Sequence, residues 1–329
     1  MAAVPAPGAV QLTEDDDRPT PVRDFFHSLL RSGTGLVGLV FMILVLLSAV
    51  FAPALSSHDP AKQSLRDRLQ PPMFFGGSMS HPFGTDALGR DLFARVLQGA
   101  RVSLLVGVAV VVIAGIVGVT LGVTAGYFGK WVDAVIMRIA DMQLAFPGIL
   151  LALFVLYALG PSVPLVITVL AINGWMIYAR VARSLVLTLR SSDFVEAAEL
   201  SGARPRRVMW GHILPNLTSP LLTLAVLEFA RIILAEAALS FLGYGVQPPE
   251  SSWGLILAQG QDYLSSAWWL VTIPGIVVSL TVLAANLFAS WLRIYTDPKL
   301  REKSLARQLD DLAGPVSYTH LTLPTNREV

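Results

Sequence analysis

The 329-residue sequence has no cysteine, which excludes disulfides, thiol catalysis and cysteine-ligated metals. Charge is scarce too. Asp, Glu, Lys and Arg make up 14% of the chain against 54% hydrophobic residues, where a soluble domain carries about 25% charged residues. A surface this poor in charge does not mostly face water, and a net charge of +1 gives no reason to expect nucleic acid as a partner. No Gly-x-x-x-x-Gly-Lys-Ser/Thr loop occurs. Gly129-Lys130 is followed by Trp131 and lacks the earlier glycine, so ATP is not held here by that route. The five histidines (His27, His58, His81, His212 and His320) are scattered, which favours solvated or capping roles over metal ligation. Ser240 follows Leu239 and does not complete a Gly-x-Ser-x-Gly turn, and Asp133 and Asp141 lie too far apart for an aspartyl dyad. No catalytic, cofactor-binding or metal-binding residue is expected on this chain, and it does not read as an enzyme.

What is present is a series of apolar runs near the roughly 20 residues that cross a bilayer. The fold class expected is therefore an all-α integral membrane protein of about six transmembrane helices. Span one covers about 36–55, span two 102–127, span three 142–159, span four 165–187, span five 216–242 and span six 270–292. Arg23 and Arg31 before span one, and Arg293, Lys299, Arg301 and Lys303 after span six, place both termini in the cytoplasm. The basic residues of the outer loop, among them Arg90, Arg95 and Arg101, run against that rule.

The organisation reads as a cytoplasmic tail over 1–34, a first span over 35–57 and an outer loop over 58–100. A core of five spans over 101–297 follows, then a cytoplasmic tail over 298–313 and a non-native tail over 314–329. Within the outer loop, Leu88, Leu92, Val96 and Gly99 predict a short amphipathic helix lying on the outer surface. Phe128 to Asp141 is expected to be an inner loop, Pro147 to kink span three, and Trp268, Trp269, Trp291 and Tyr295 to sit at the membrane interfaces.

Four features carry functional expectations. Gly115, Gly118, Gly122 and Gly126 share one face of span two and allow close helix contact, either as a static seam or as a sliding surface. Gly33, Gly35 and Gly38 offer a second such approach at span one. Glu228, Arg231 and Glu236 lie in span five, where ionisable groups need partners or water. Glu228 and Arg231 are spaced to pair; with Asn173 and Asn286 these groups either line a water-filled path or form an internal ion pair. The fourth is the polar stretch Phe194–Asn216 between spans four and five, where Asp193 is expected to cap a helix ending near Ala203, Gly202 and Pro205 stop it, and a second short helix starts near Arg206. Pro215 is expected to bend the chain into span five.

Glu196-Ala197-Ala198, then Gly202, then Leu214-Pro215 resembles the EAA loop of bacterial ATP-binding-cassette importer permeases. The pattern departs where His212 replaces the family's isoleucine. His81–Arg101, Leu239–Pro249 and Asp297-Pro298 agree with it, and together they resemble the C-type permease of dipeptide/oligopeptide/nickel importers. The resemblance implies a type I importer fold in the bacterial cytoplasmic (inner) membrane. It further implies a second homologous permease, two cytoplasmic ATP-binding subunits or one fused ATPase, and an external substrate-binding protein, with ATP and Mg on the partner ATPases. It assigns Glu196, Ala197, Ala198 and Gly202 to a helix that docks on an ATPase, with Arg204, Arg206, Arg207, Leu214 and Pro215 beside it. Peptides are the expected cargo. The alternatives are a stand-alone secondary transporter or channel using Glu228, Arg231 and Glu236, and a membrane scaffold in which those charges only pair.

Overall fold

A computed structural model describes residues 21–296. Residues 1–20 of the expected N-terminal tail, Asp297-Pro298, the basic residues after it and the 314–329 segment lie outside those residues, while 21–31 of that tail form a helix. Among the described residues the regular structure is helical. The helices are α1 (Pro21–Arg31), α2 (Gly33–Val50), α3 (Ala52–Leu55), α4 (Leu92–Phe128), α5 (Lys130–Leu144), α6 (Gly148–Leu159), α7 (Val163–Arg190), α8 (Asp193–Leu200), α9 (Pro205–Arg207), α10 (Leu214–Phe241), α11 (Trp253–Gly260) and α12 (Trp269–Thr296). Four of them (α2, α4, α7 and α12) are long and apolar enough to cross a membrane, and a fifth crossing is available if the pair α5 and α6, bent by 80°, is taken together. α10 is of spanning length but carries Glu228, Arg231 and Glu236.

The central element is α4, whose 37 residues reach about 55 Å at 1.5 Å per residue, well beyond the roughly 30 Å hydrocarbon core. This corrects the expected surface helix in the outer loop: Leu92, Val96 and Gly99 lie in the first turns of α4 itself, and Leu88 lies in the turn before it. Asp91 starts the helix by accepting from Ala94 N at 2.8 Å, and no proline or unfavourable turn follows to stop it. Leu92, Val96 and Gly99 do not face the outside, because Trp253 of α11 packs over them and donates from Nε1 to Val96 O at 3.1 Å. α4 then passes through three successive cores. The first gathers α2, α10, α11 and α12 around Trp253. The second joins α6, α7 and α10. The third packs the end of α4 against α7, α8 and the start of α10.

Three further expectations are corrected. Most of the expected inner loop, Phe128 to Asp141, is helical: α4 runs to Phe128 and Lys130–Leu144 form α5, held along α7 by Arg183 with Asp133 and by Arg180 with Asp141 at 2.5 Å. Pro147 does not kink a continuous span but precedes α6, which has 12 residues and at about 18 Å is too short to cross alone. The interfacial tryptophans divide. Trp268 is exposed, while Trp269 is buried and donates to Thr85 O at 3.3 Å. Trp291 is buried as well, stacked between Phe288 and Tyr295 and covering Gly35. Gly35 and Gly38 bring α2 close to α12, whereas Gly33 faces open space.

Candidate functional site

The polar stretch between α7 and α10 folds as a bracket at one end of the bundle. α8 begins at Asp193, and the N-cap residue is Ser192, not Asp193 as expected; Asp193 instead places its charge in the first turn, where the helix dipole favours an anion. Val195 is fully buried among Val208, Met209 and Ile213, which fixes the rotation of α8. The Tyr127 hydroxyl donates to Glu199 Oε1 at 2.9 Å and ties α8 to the end of α4. The helix stops at Leu200, earlier than expected, and Gly202 adopts φ +79°. A Cβ there would meet nothing within 4 Å, so backbone conformation, not space, selects glycine.

With Val195 turned inward, the outer face of α8 is presented to solvent. Glu196 and Ala197 are exposed, Ala198 is half-buried, and Leu200 is 89% exposed. Phe194 is exposed as well. Phe194 and Leu200 carry the apolar part of this face. Their signal in the sequence is two large apolar residues inside a charged loop. Arg204, Arg206 and Arg207 are exposed, form no ion pair among the described residues, and line an open hollow with Trp210 and Gly211. The second short helix exists only as α9, followed by a π-helical turn over Val208–Ile213. The irregularity expected at Pro215 thus lies one turn earlier. Leu214 and Pro215 open α10, where a missing proline N–H costs nothing.

The ionisable residues of α10 separate into two sites. Arg231 donates to Glu228 Oε2 from Nε at 2.8 Å and from Nη2 at 2.5 Å, with Glu228 buried and Arg231 half-exposed. Glu236 is fully buried and has no ion-pair partner among the described residues. Its carboxylate accepts from Ser103 Oγ at 3.0 Å and Ser240 Oγ at 2.7 Å. Ser240 Oγ also accepts from Val246 N at 3.0 Å, and Ser103 Oγ from Trp253 N at 3.4 Å, so this carboxylate joins α4, α10 and α11. Asn173 and Asn286 belong to neither site. Asn173 donates to Gly148 O at 3.2 Å, at the bend between α5 and α6, and Asn286 donates to Val282 O at 2.8 Å within its own helix.

A third polar cluster takes in two of the arginines expected in the outer loop, Arg90 and Arg95. Asp86 accepts from Arg90 Nε at 2.7 Å and Arg95 Nη1 at 2.6 Å, and both guanidinium groups donate to Gln259 Oε1. Arg95 is 1% exposed. These charges hold the 86–95 segment to α11. The fold also brings His58, His81 and Asp91 together, three residues that sequence spacing leaves apart. The glycines of α4 face α7: Gly118 and Gly122 lie against the backbone of Trp175 and Ala179, Gly126 lies against Val186, and Gly115 is only in ordinary contact with Tyr178.

Two family models match the chain. One is described as the N-terminal TM domain of oligopeptide transport permease C, over residues 20–72, and the other as the binding-protein-dependent transport system inner membrane component, over residues 118–302. The chain is 42% identical over 284 residues to the di/tripeptide transport system permease protein DppC of Pseudomonas aeruginosa, covering 86% of this chain and 94% of that protein. It is 44% identical over 284 residues to the dipeptide transport system permease protein DppC of Escherichia coli K12, with 86% and 95% covered. For the dipeptide transport system permease protein DppC of Alkalihalophilus pseudofirmus the identity is 42% over 282 residues, with 86% and 91% covered. With more than half its length inside the second of those models and a helical, membrane-spanning architecture to match, this chain belongs to the family of binding-protein-dependent transport system inner membrane components.

Proposed function

We propose that this chain is one permease half of an ATP-driven importer of di- and tripeptides, and that α8 is the surface through which a cytoplasmic ATPase moves it. The peptide cargo follows from what the relatives are named for. The observation that carries the coupling reading is the face of α8. A rigidly seated helix offers Leu200, Ala197 and Glu196 outward, and an 89% exposed leucine beside small residues fits a groove on a partner better than it fits water. Glu199 is already engaged by Tyr127, which leaves Glu196 as the charge for a basic partner.

In this reading six crossings are made by α2, α4, the bent pair α5 and α6, α7, α10 and α12, with both termini inside. α10 can cross because Glu228 is paired with Arg231 and Glu236 is satisfied by hydroxyls. Arg180, Arg183, Arg190, Arg204, Arg206 and Arg207 then gather on the cytoplasmic side, and residues 243–267, without Lys or Arg, lie outside. The partners are a second permease of the same kind, two ATP-binding subunits or one fused ATPase, and an external binding protein. ATP and Mg reside on the ATPases. Nucleotide binding draws the two α8 brackets together, and the cargo shifts the population of outward and inward states only through its differential affinity for them.

The test uses the assembled transporter. Leu200→Asp alters a side chain that makes no internal packing, so membrane insertion is retained while ATPase co-purification and ATP-driven peptide uptake fall. Gly202→Val, which forces a β-branched residue to positive φ, has the same effect. Normal uptake and normal ATPase retention in both variants reject α8 as the coupling surface. Ion-gradient-driven uptake by the purified chain alone rejects the importer reading as a whole.

A further inference from the structure

We propose that His58, His81 and Asp91 form a binding site for one divalent transition-metal ion of the zinc type, pinning the segment after α3 to the head of α4. One ligand atom from each residue lies within 4.8 Å of the other two. His81 Nδ1 stands 3.0 Å from Asp91 Oδ1, and the His58 and His81 rings are 4.9 Å apart between centroids, tilted by 46°. Two imidazoles and one carboxylate are a donor set that zinc accepts with a water completing the tetrahedron. With metal–ligand distances of about 2.0–2.2 Å, ligand atoms round a tetrahedral ion lie about 3.4 Å apart. The His81–Asp91 pair already approaches that spacing, and His58 closes it by a shift of about 1.5 Å or less.

The two halves of the site differ in the way such a closure requires. Asp91 is 4% exposed and its second oxygen, Oδ2, accepts from Ala94 N at 2.8 Å. That bond fixes the carboxylate as an outer-shell partner would. The carboxylate also stands between the ion and the positive end of the α4 dipole, which would otherwise oppose a cation there. His81 is largely enclosed, with 12% of its side chain exposed. His58, by contrast, is half-exposed on a short turn, where Ser56 Oγ accepts from His58 N and donates to His58 O, each at 3.2 Å, and Ser57 Oγ lies 3.4 Å from Nδ1. One imidazole already bonds the carboxylate; the other has reached the same point without bonding either of them. An ion supplies the partner for both. With 32 residues of chain between His58 and Asp91, it would close the connection from α3 to α4.

The experiment uses the full chain, purified without a histidine tag, stripped with a chelator and placed in lipid nanodiscs. Zinc titration by calorimetry is expected to show saturable binding of one ion per chain, and cobalt to develop visible ligand-field bands. His58→Ala and Asp91→Asn are expected to weaken binding about tenfold or more and to remove the bands. Asp91→Asn retains a side-chain oxygen for Ala94 N, so its folding is preserved, and circular dichroism checks this. Absence of saturable binding overturns the proposal. So does equal affinity in the wild type and in both variants, which would place the ion on other residues. Neither outcome bears on peptide transport, so the proposal stands or falls apart from the proposed function.

Discussion

The glycine face of α4 makes a graded prediction. A Cβ placed on Gly118 would lie 2.2 Å from Trp175 O, and one on Gly122 would lie 2.3 Å from Ala179 O. Both obstacles are backbone, so no side chain can swing aside. Carbon contacts are optimal at about 3.5–4.0 Å, so α4 and α7 would have to part by about 1 Å, a gap that forfeits a quarter to a half of each contact's attraction. Overpacking of this kind costs about 1–3 kcal/mol. The gain in helix propensity from glycine to alanine offsets up to about 1 kcal/mol of that. Gly115 is the internal control: its Cβ would sit 3.7 Å from Tyr178 Cε1, an ordinary contact, so Gly115→Ala keeps the propensity gain without the clash. Unfolding of the purified chain in mixed micelles, followed by the fluorescence of its seven tryptophans, should place Gly118→Ala and Gly122→Ala about 1–3 kcal/mol below Gly115→Ala. If all three are equally stable, the seam is not close-packed and the reasoning fails. If the first two lose transport with stability unchanged, the face serves as a sliding surface instead of a static seam.

Two further substitutions test the polar clusters. Asp86→Ala leaves Arg90 and the buried Arg95 facing each other without an anion and should cost about 3–5 kcal/mol in the same unfolding assay, whereas Arg90→Ala, which leaves the Arg95–Asp86 pair intact, should cost clearly less; equal losses would show that the buried pair is not the anchor. Glu236→Ala strips the acceptor from Ser103 and Ser240 and should cost about 2–4 kcal/mol, while Glu236→Gln, which keeps one carbonyl oxygen, should retain most of that stability and alter uptake or assembly; an unchanged Gln variant in both assays removes Glu236 from any functional role.

The sequence shows the helices more clearly than it shows their ends. The apolar runs locate α2, α7 and α12 because twenty-odd apolar residues admit one solution in lipid. The start of α4 is not legible in the same way, because nothing local separates a surface helix from the first turns of a longer one. The decision belongs to Trp253, which lies 157 residues from Val96 and covers it. α5 escapes for a related reason. Lys130, Asp133, Arg138 and Asp141 look like loop charge, but Arg183 and Arg180 on α7 neutralise two of them and let the segment run as a helix.

The site shows the same division between what is local and what is not. The Glu228–Arg231 pair can be read from a three-residue offset, because helix geometry alone puts those side chains side by side. The glycine face can be read for the same reason. The surroundings of Glu236 cannot. A carboxylate inside a membrane helix announces that donors must exist, since an unsatisfied one costs several kcal/mol, yet the sequence offers many hydroxyls and does not say which. Ser240, one turn away, is inferable in principle; Ser103, 133 residues away, is not. The Asp86 cluster, drawing on Gln259, is equally out of reach. The positive-inside conflict is nevertheless a clue to it. Of the basic residues that run against the expected topology, Arg90 and Arg95 are neutralised locally, by one of the four acidic residues of the same loop. Asp86 is the one that carries two arginines. A conflict between an expected topology and a charge count is therefore a reason to look for an ion cluster, and unfolding data on Asp86→Ala against Arg90→Ala will show whether Asp86 is the residue that anchors the 86–95 segment to α11.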